Sequence, residues 1–244
     1  MTSSVDFERW PAAARVSPAE ITKAREELLN LIQWLARIAN SYVPGSPEER
    51  TLLEFRPAET AFVTKTFGND LLLTLRLPSL EMQFLQNGKP VPHIFNPEGR
   101  SPAEVEAWFL VELLHRGIDR EKFSKKLPYK MTGLMSGDAE DHMPSLCADG
   151  LEYVTGWIRN AGVILAKFCK GEVVCSPQTL ELTCARQAGF GFALGDAITT
   201  EPFFYAMRTD GNGSGAGQKR AILSASALLA KPDPTTAALE FLKA

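Results

Sequence analysis

Apolar residues recur every three or four positions along two long segments, and this spacing predicts two amphipathic helices. The first covers residues 17–42 and begins with the capping sequence SPAE, which has proline at the first helical position. The second covers residues 146–170. A further SPAE sequence opens a predicted helix over residues 101–116, and Asp-Pro opens a last one over residues 233–244.

Short apolar runs bounded by turn residues lie between these helices and predict β-strands. Asn87-Gly88 is the clearest turn signal, because this dipeptide suits a two-residue hairpin. The strand after it contains Pro90 and Pro92, so we expect it at a sheet edge. The predicted strands are residues 51–56, 61–67, 71–77, 80–86 and 91–95, then 172–175, 179–186, 189–194 and 202–208.

The order of these elements repeats along the chain. It predicts an α+β fold of two related halves packed as one compact unit, each half with a long helix, about four antiparallel strands and a short helix. Both closing helices begin at a proline that is followed seven and eight residues later by Phe-Leu. We assign residues 1–117 to the first repeat, residues 118–145 to a connecting loop without periodicity, and residues 146–244 to the second repeat.

Composition and charge exclude several classes of protein. The 244 residues carry a net charge of −3, which gives no electrostatic basis for binding nucleic acid. No run approaches the roughly 18 apolar residues of a membrane span, so we expect no membrane partner. Residues 1–10 lack the apolar region of a signal peptide. We therefore expect a cytoplasmic location and reduced cysteines. The four cysteines form no C-x-x-C pair, which excludes a zinc or thioredoxin-type motif of that kind.

Three segments of the second half resemble a bacterial family catalogued as a domain of unknown function. They are Ala188-Gly189-Phe190 with Gly195, then Pro202-Phe203-Phe204-Tyr205, and the LSASALLAKPDPTTAALEFLKA sequence of residues 223–244. They match the family's A-G-F-W-P-G, P-x-F-Y-x-Y and P-D-P-x-x-x-L-x-x-F-L patterns. The family's tryptophan- and histidine-rich segment and its His-Glu pair have no counterpart here, which marks a divergent member. The resemblance implies no established activity.

One loop carries candidate metal ligands. Asp138, Asp141 and His142 combine carboxylates with an imidazole, which is a usable ligand set. A solvated loop with helix N-terminal charge is the alternative, and we prefer it because the loop contains only one histidine. His93 and His115 stand isolated in the sequence, as surface or satisfied core residues. The sequence therefore predicts no metal and no cofactor.

The glycines around Phe190 and Phe192 are the candidate binding site. Side chains alternate along a strand, so the phenylalanines face one way and Gly189, Gly191 and Gly195 the other. Repeated glycine indicates close approach by another group, either a packed part of the fold or a flat ligand. For a small-molecule ligand, Tyr205 and Arg186 are the predicted polar contacts. The glycine-rich residues 211–217 fit neither phosphate-binding template, and we interpret them as a hairpin loop.

No catalytic constellation stands out, because no G-x-S-x-G motif occurs and nothing pairs a cysteine with a histidine. We therefore favour a soluble, non-enzymatic binding or scaffold module. Two alternatives stay open: a small-molecule-binding protein with a pocket between sheet and helices, and a metal-assisted enzyme that uses Asp138, Asp141 and His142. The residues assign no substrate, partner or oligomeric state.

Overall fold

The computed structural model describes residues 9–12, 16–209 and 218–244, and in them the protein is α+β, with helices packed on an antiparallel sheet. The hairpin loop predicted at residues 211–217 lies outside this part. The α-helices are α1 (Pro18–Tyr42), α2 (Pro47–Thr51), α3 (Pro102–His115), α4 (Ala148–Cys169), α5 (Ala225–Leu229) and α6 (Pro234–Lys243). None of the described helices is both long enough and apolar enough to cross a membrane.

Ten described strands form a single sheet in which every neighbouring pair is antiparallel. The strands are β1 (Leu53–Arg56), β2 (Ala61–Val63), β3 (Leu71–Arg76), β4 (Met82–Gln86), β5 (Lys89–Phe95), β6 (Val173–Cys175), β7 (Leu182–Cys184), β8 (Gln187–Ala193), β9 (Phe203–Thr209) and β10 (Gln218–Ser224). Their order is β10-β9-β8-β7-β6-β1-β2-β3-β4-β5. Each half of the chain therefore contributes five consecutive strands rather than four. Strand β10 is not among the strands predicted from the sequence, whereas β5 lies at the sheet edge, as its prolines predict.

The helices cover one face of this sheet. One row of paired residues across six strands, Leu53, Cys175, Leu182, Phe192, Phe204 and Leu223, faces them. Above this row α1 packs against α4, and the Trp157 ring of α4 stacks on Phe192 with centroids 6.3 Å apart. Buried residues from both halves belong to one continuous hydrophobic cluster, so burial of apolar surface stabilises the two halves together.

Residues 118–145 run antiparallel along α1 and form hydrogen bonds with its side chains between residues 27 and 42. We call them the strap. Near the C-terminal end of α1, the Tyr42 hydroxyl donates to the Asp119 carbonyl oxygen at 3.1 Å. In the middle, the Tyr129 hydroxyl donates to Oε1 of buried Gln33 at 2.8 Å. The strap is thus an ordered part of the fold, although its sequence has no periodicity.

Near its C-terminal end the strap makes a buried hydrogen bond with Glu27 of α1. Nδ1 of His142 lies 2.9 Å from Oε2 of Glu27, and the backbone N–H of Met143 donates to Glu27 Oε1 at 3.1 Å. His142 is 0% exposed and Glu27 is 7% exposed. The backbone of His142 also forms a bridge with Arg100, which fixes the strap beside the start of α3.

We predict that Glu27→Ala destabilises the protein by about 2–3 kcal/mol, because it leaves a half-buried N–H and a buried imidazole without their acceptor. Urea unfolding measures the change. Glu26→Ala is the matched control: Glu26 is the exposed neighbour on the same helix, and its loss should change stability by less than about 0.5 kcal/mol. Equal midpoints for the two variants would contradict this role for Glu27.

Candidate metal centre

The structure does not bring the predicted loop ligands together. The imidazole of His142 is buried against Glu27, as described above. Asp138 is exposed and accepts a hydrogen bond of 3.4 Å from the Ser101 hydroxyl, and Asp141 is exposed on the strap. The prediction of a wholly solvated loop is wrong for His142. This residue is buried because its imidazole contacts Glu27 of α1, which is distant in the sequence.

Gly189 and Gly191 of β8, and Gly195 after the end of that strand, are covered by the protein itself. A Cβ atom at buried Gly191 would lie 2.5 Å from the Tyr205 hydroxyl and 2.7 Å from the Leu182 carbonyl oxygen. At Gly189 it would lie 3.2 Å from the Met207 side chain, and at Gly195 2.7 Å from the Thr200 carbonyl oxygen. The close approach expected from the sequence is therefore made by protein atoms, and Tyr205 occupies the space that a flat ligand would need.

Tyr205 and Arg186, the polar contacts predicted for that ligand, lie in separate parts of the structure. The Tyr205 ring packs under the Arg220 guanidinium, whose carbon lies 4.5 Å from the ring centroid, and Arg220 pairs with Asp196 at 2.8 Å. Burial, the largest cause, and the nearby Glu181 carboxylate raise the pKa of Tyr205 to about 12, so the phenol stays neutral. Arg186 is exposed at a separate cavity beside the end of α4. The predicted set does not form one site.

A different group of three side chains meets at the sheet edge: His93 from β5, and Glu112 and His115 from α3. Residues three apart share one face of a helix, so α3 presents both of its ligands to the strand. Nδ1 of His93 lies 2.8 Å from Glu112 Oε1, and Nδ1 of His115 lies 3.9 Å from the same oxygen. Among the residues that the structure describes, this is the group of three histidine, cysteine or acidic residues whose ligand atoms all fall within 4.8 Å of one another.

The carboxylate at the centre of this group is buried and held in place. The side chain of Glu112 is 3% exposed, and those of His93 and His115 are 59% and 56% exposed. Nη1 of Arg116 lies 2.7 Å from Glu112 Oε2, and it also donates to the Glu112 carbonyl oxygen at 2.8 Å. Arg116 is therefore within ion-pair distance of Oε2, although the two groups form no hydrogen bond there, and Oε1 is left for the two imidazoles.

Two imidazoles and one carboxylate form a common ligand set for zinc and other divalent transition metals. Three protein ligands leave at least one coordination position for water or another ligand. The interpretation of His93 and His115 as isolated residues is therefore wrong. One signal was present: Glu112-x-x-His115 in a predicted helix places two ligands on one face, beside a predicted edge strand that contains His93.

Comparisons with known proteins identify no relative. No protein-family model, no curated protein and no solved structure matches this chain.

We predict that Gly191→Val destabilises the fold by at least about 1–3 kcal/mol, since its side chain would overlap Tyr205 and the fixed Leu182 carbonyl. Urea unfolding measures the loss. Gly171→Ala is the control, because a Cβ there meets only the Cys169 carbonyl oxygen, at 3.6 Å. If Gly191→Val proved as stable as the wild-type protein, the space beside Gly191 would be open after all.

Proposed function

We propose that this protein binds a divalent transition-metal ion of the zinc class through His93, Glu112 and His115. The observation that carries the proposal is the convergence of three ligand atoms, within 4.8 Å of one another, on a carboxylate that is almost fully buried. Metal–nitrogen and metal–oxygen bonds to such ligands are about 2.0–2.2 Å long. Small rotations of the two exposed imidazoles are enough to reach a shared ion.

The elements that carry the ligands give this site its rigidity. Ser101 caps α3 through a capping box with Glu104, and Phe109 on the same helix packs against Phe84 of β4 with centroids 6.0 Å apart. The backbone of Glu112 is therefore fixed relative to the sheet before any ion binds. A preformed carboxylate lowers the ordering cost of binding. Its ion pair with Arg116 neutralises part of the charge, so we expect moderate affinity.

This function fits the non-enzymatic binding module favoured by the sequence. If the protein is instead a metal-assisted enzyme, its metal would bind at His93, Glu112 and His115 and not at the Asp138 loop. An open coordination position of that metal would take water or substrate. All three ligands lie in the first half of the chain. Helix α6, which closes the second half as α3 closes the first, has no histidine. The cytoplasmic location stays a prediction.

We further propose that the two halves are related copies of one unit. The strand order supports this, since five consecutive strands extend in each direction from the antiparallel β1–β6 pair. A long helix precedes each set of five, and a helix that begins at a proline closes it. On this view residues 118–145 connect the repeats 1–117 and 146–244. The resemblance to the family of unknown function also stays a prediction.

We predict that chelator-treated protein binds one zinc ion per chain and that zinc raises its melting temperature, because a ligand that binds the folded state stabilises it. Isothermal titration calorimetry measures the binding. His93→Ala and His115→Ala should each weaken it at least about 10–100-fold. Binding should also weaken as the pH falls, because an imidazole must be neutral to ligate.

Lys89→Ala is the control for this test, since Lys89 is exposed on the same strand and offers no ligand in the group. It should leave the affinity unchanged. Zinc binding that persists at full strength in the double variant His93→Ala/His115→Ala would refute the proposed function.

A further inference from the structure

Two thiols meet at the end of α4, away from the metal centre. Cys169 is the last residue of α4, and Cys184 is the last residue of β7. Their sulfur atoms share one acceptor: Sγ of Cys169 lies 2.9 Å from the Leu165 carbonyl oxygen, and Sγ of Cys184 lies 3.9 Å from it. Neither sulfur is in a disulfide.

The local backbone explains why these cysteines are neighbours. Lys170 caps the C-terminal end of α4 with a left-handed φ of 49°, and the chain then turns back into β6. Strand β6 pairs with β7 so that Val173, four residues after Cys169, lies opposite Cys184. The turn and the strand pairing thus bring the side chain of Cys184 close to that of Cys169 in the last turn of α4.

The two thiols differ in their access to solvent. Cys169 is half-buried and lines a cavity of about 490 Å³ together with Lys170 and Arg186, two cations. Cys184 is 5% exposed and lies behind it. Burial, and then the hydrogen bond between the two thiols, raises the pKa of Cys184 far above its usual range. The carboxylate of Glu172 lines the same cavity. A small oxidant therefore reaches Cys169 first, because Cys169 is partly exposed and Cys184 is buried.

We propose that Cys169 and Cys184 are an oxidation site that closes to a disulfide when the protein meets hydrogen peroxide. In the first step the sulfur of Cys169 attacks one oxygen of hydrogen peroxide, and the O–O bond breaks. Cys169 sulfenic acid forms, and the expelled hydroxide leaves as water with the thiol proton of Cys169. In the second step the sulfur of Cys184 attacks that of Cys169 and expels the hydroxyl group. The thiol proton of Cys184 leaves with this hydroxyl group as a second water. Two thiols are oxidised and one peroxide is reduced to two waters.

The experiment treats the reduced, folded, full-length protein with hydrogen peroxide, removes the excess with catalase, and counts thiols after denaturation. We expect the count to fall from four to two, a mass loss of two hydrogens, and a cross-linked peptide pair that contains Cys169 and Cys184. Dithiothreitol should restore all four thiols. Four remaining thiols, sulfinic acid without a cross-link, or a cross-link that includes Cys147 or Cys175 would each overturn the proposal.

Single variants test the order of events. Cys184→Ser should leave Cys169 as a sulfenic acid that dimedone traps, whereas Cys169→Ser should keep its three thiols. Cys175→Ser is the matched control: Cys175 is fully buried on β6, and this variant should still form the cross-link. Dimedone labelling at Cys184 in the wild-type protein would contradict the proposed order.

Discussion

Three residue pairs between β1 and β6 join the two sets of five strands into one sheet. A ladder this short supplies few hydrogen bonds, so it depends on what covers it. Leu53 and Phe55 face the helices from β1, and Val173 and Cys175 face them from β6; each is at most 2% exposed. Helices α1 and α4 pack above them, and burial of this apolar surface provides the stabilisation that the ladder alone lacks.

Local signals in the sequence account for much of the fold. The capping boxes at Ser17 and Ser101 predict the starts of α1 and α3, and both boxes are present in the structure. Asn87 takes a left-handed φ of 51° in the hairpin between β4 and β5. The ordered path of the strap along α1 could not be predicted in this way. Its contacts, such as Tyr129 with Gln33, join residues almost a hundred positions apart and leave no periodic trace.

The candidate sites show the same limit of local reasoning. Alternation along β8 correctly indicates that Phe190 and Phe192 face α4, where they pack against Phe168 and Trp157. The pattern cannot say what covers the opposite face at Gly191, because that depends on the register of β9. His93 meets Glu112 only because α3 returns beside β5. Ligand residues that are divided between a strand and a helix can be recognised as one site only when the packing of the two elements is known.

The strap also changes how the connection between the halves behaves. The segment contains four exposed lysines, at which trypsin could cleave: Lys122, Lys125, Lys126 and Lys130. Its backbone, however, is tied to α1 by hydrogen bonds such as that from the Asn40 side chain to the Lys126 carbonyl oxygen. Cleavage there requires the strap to detach first, and its rate reports this local opening. Once cut, the halves would still be held together by the sheet and the shared core, as two fragments of one folded molecule.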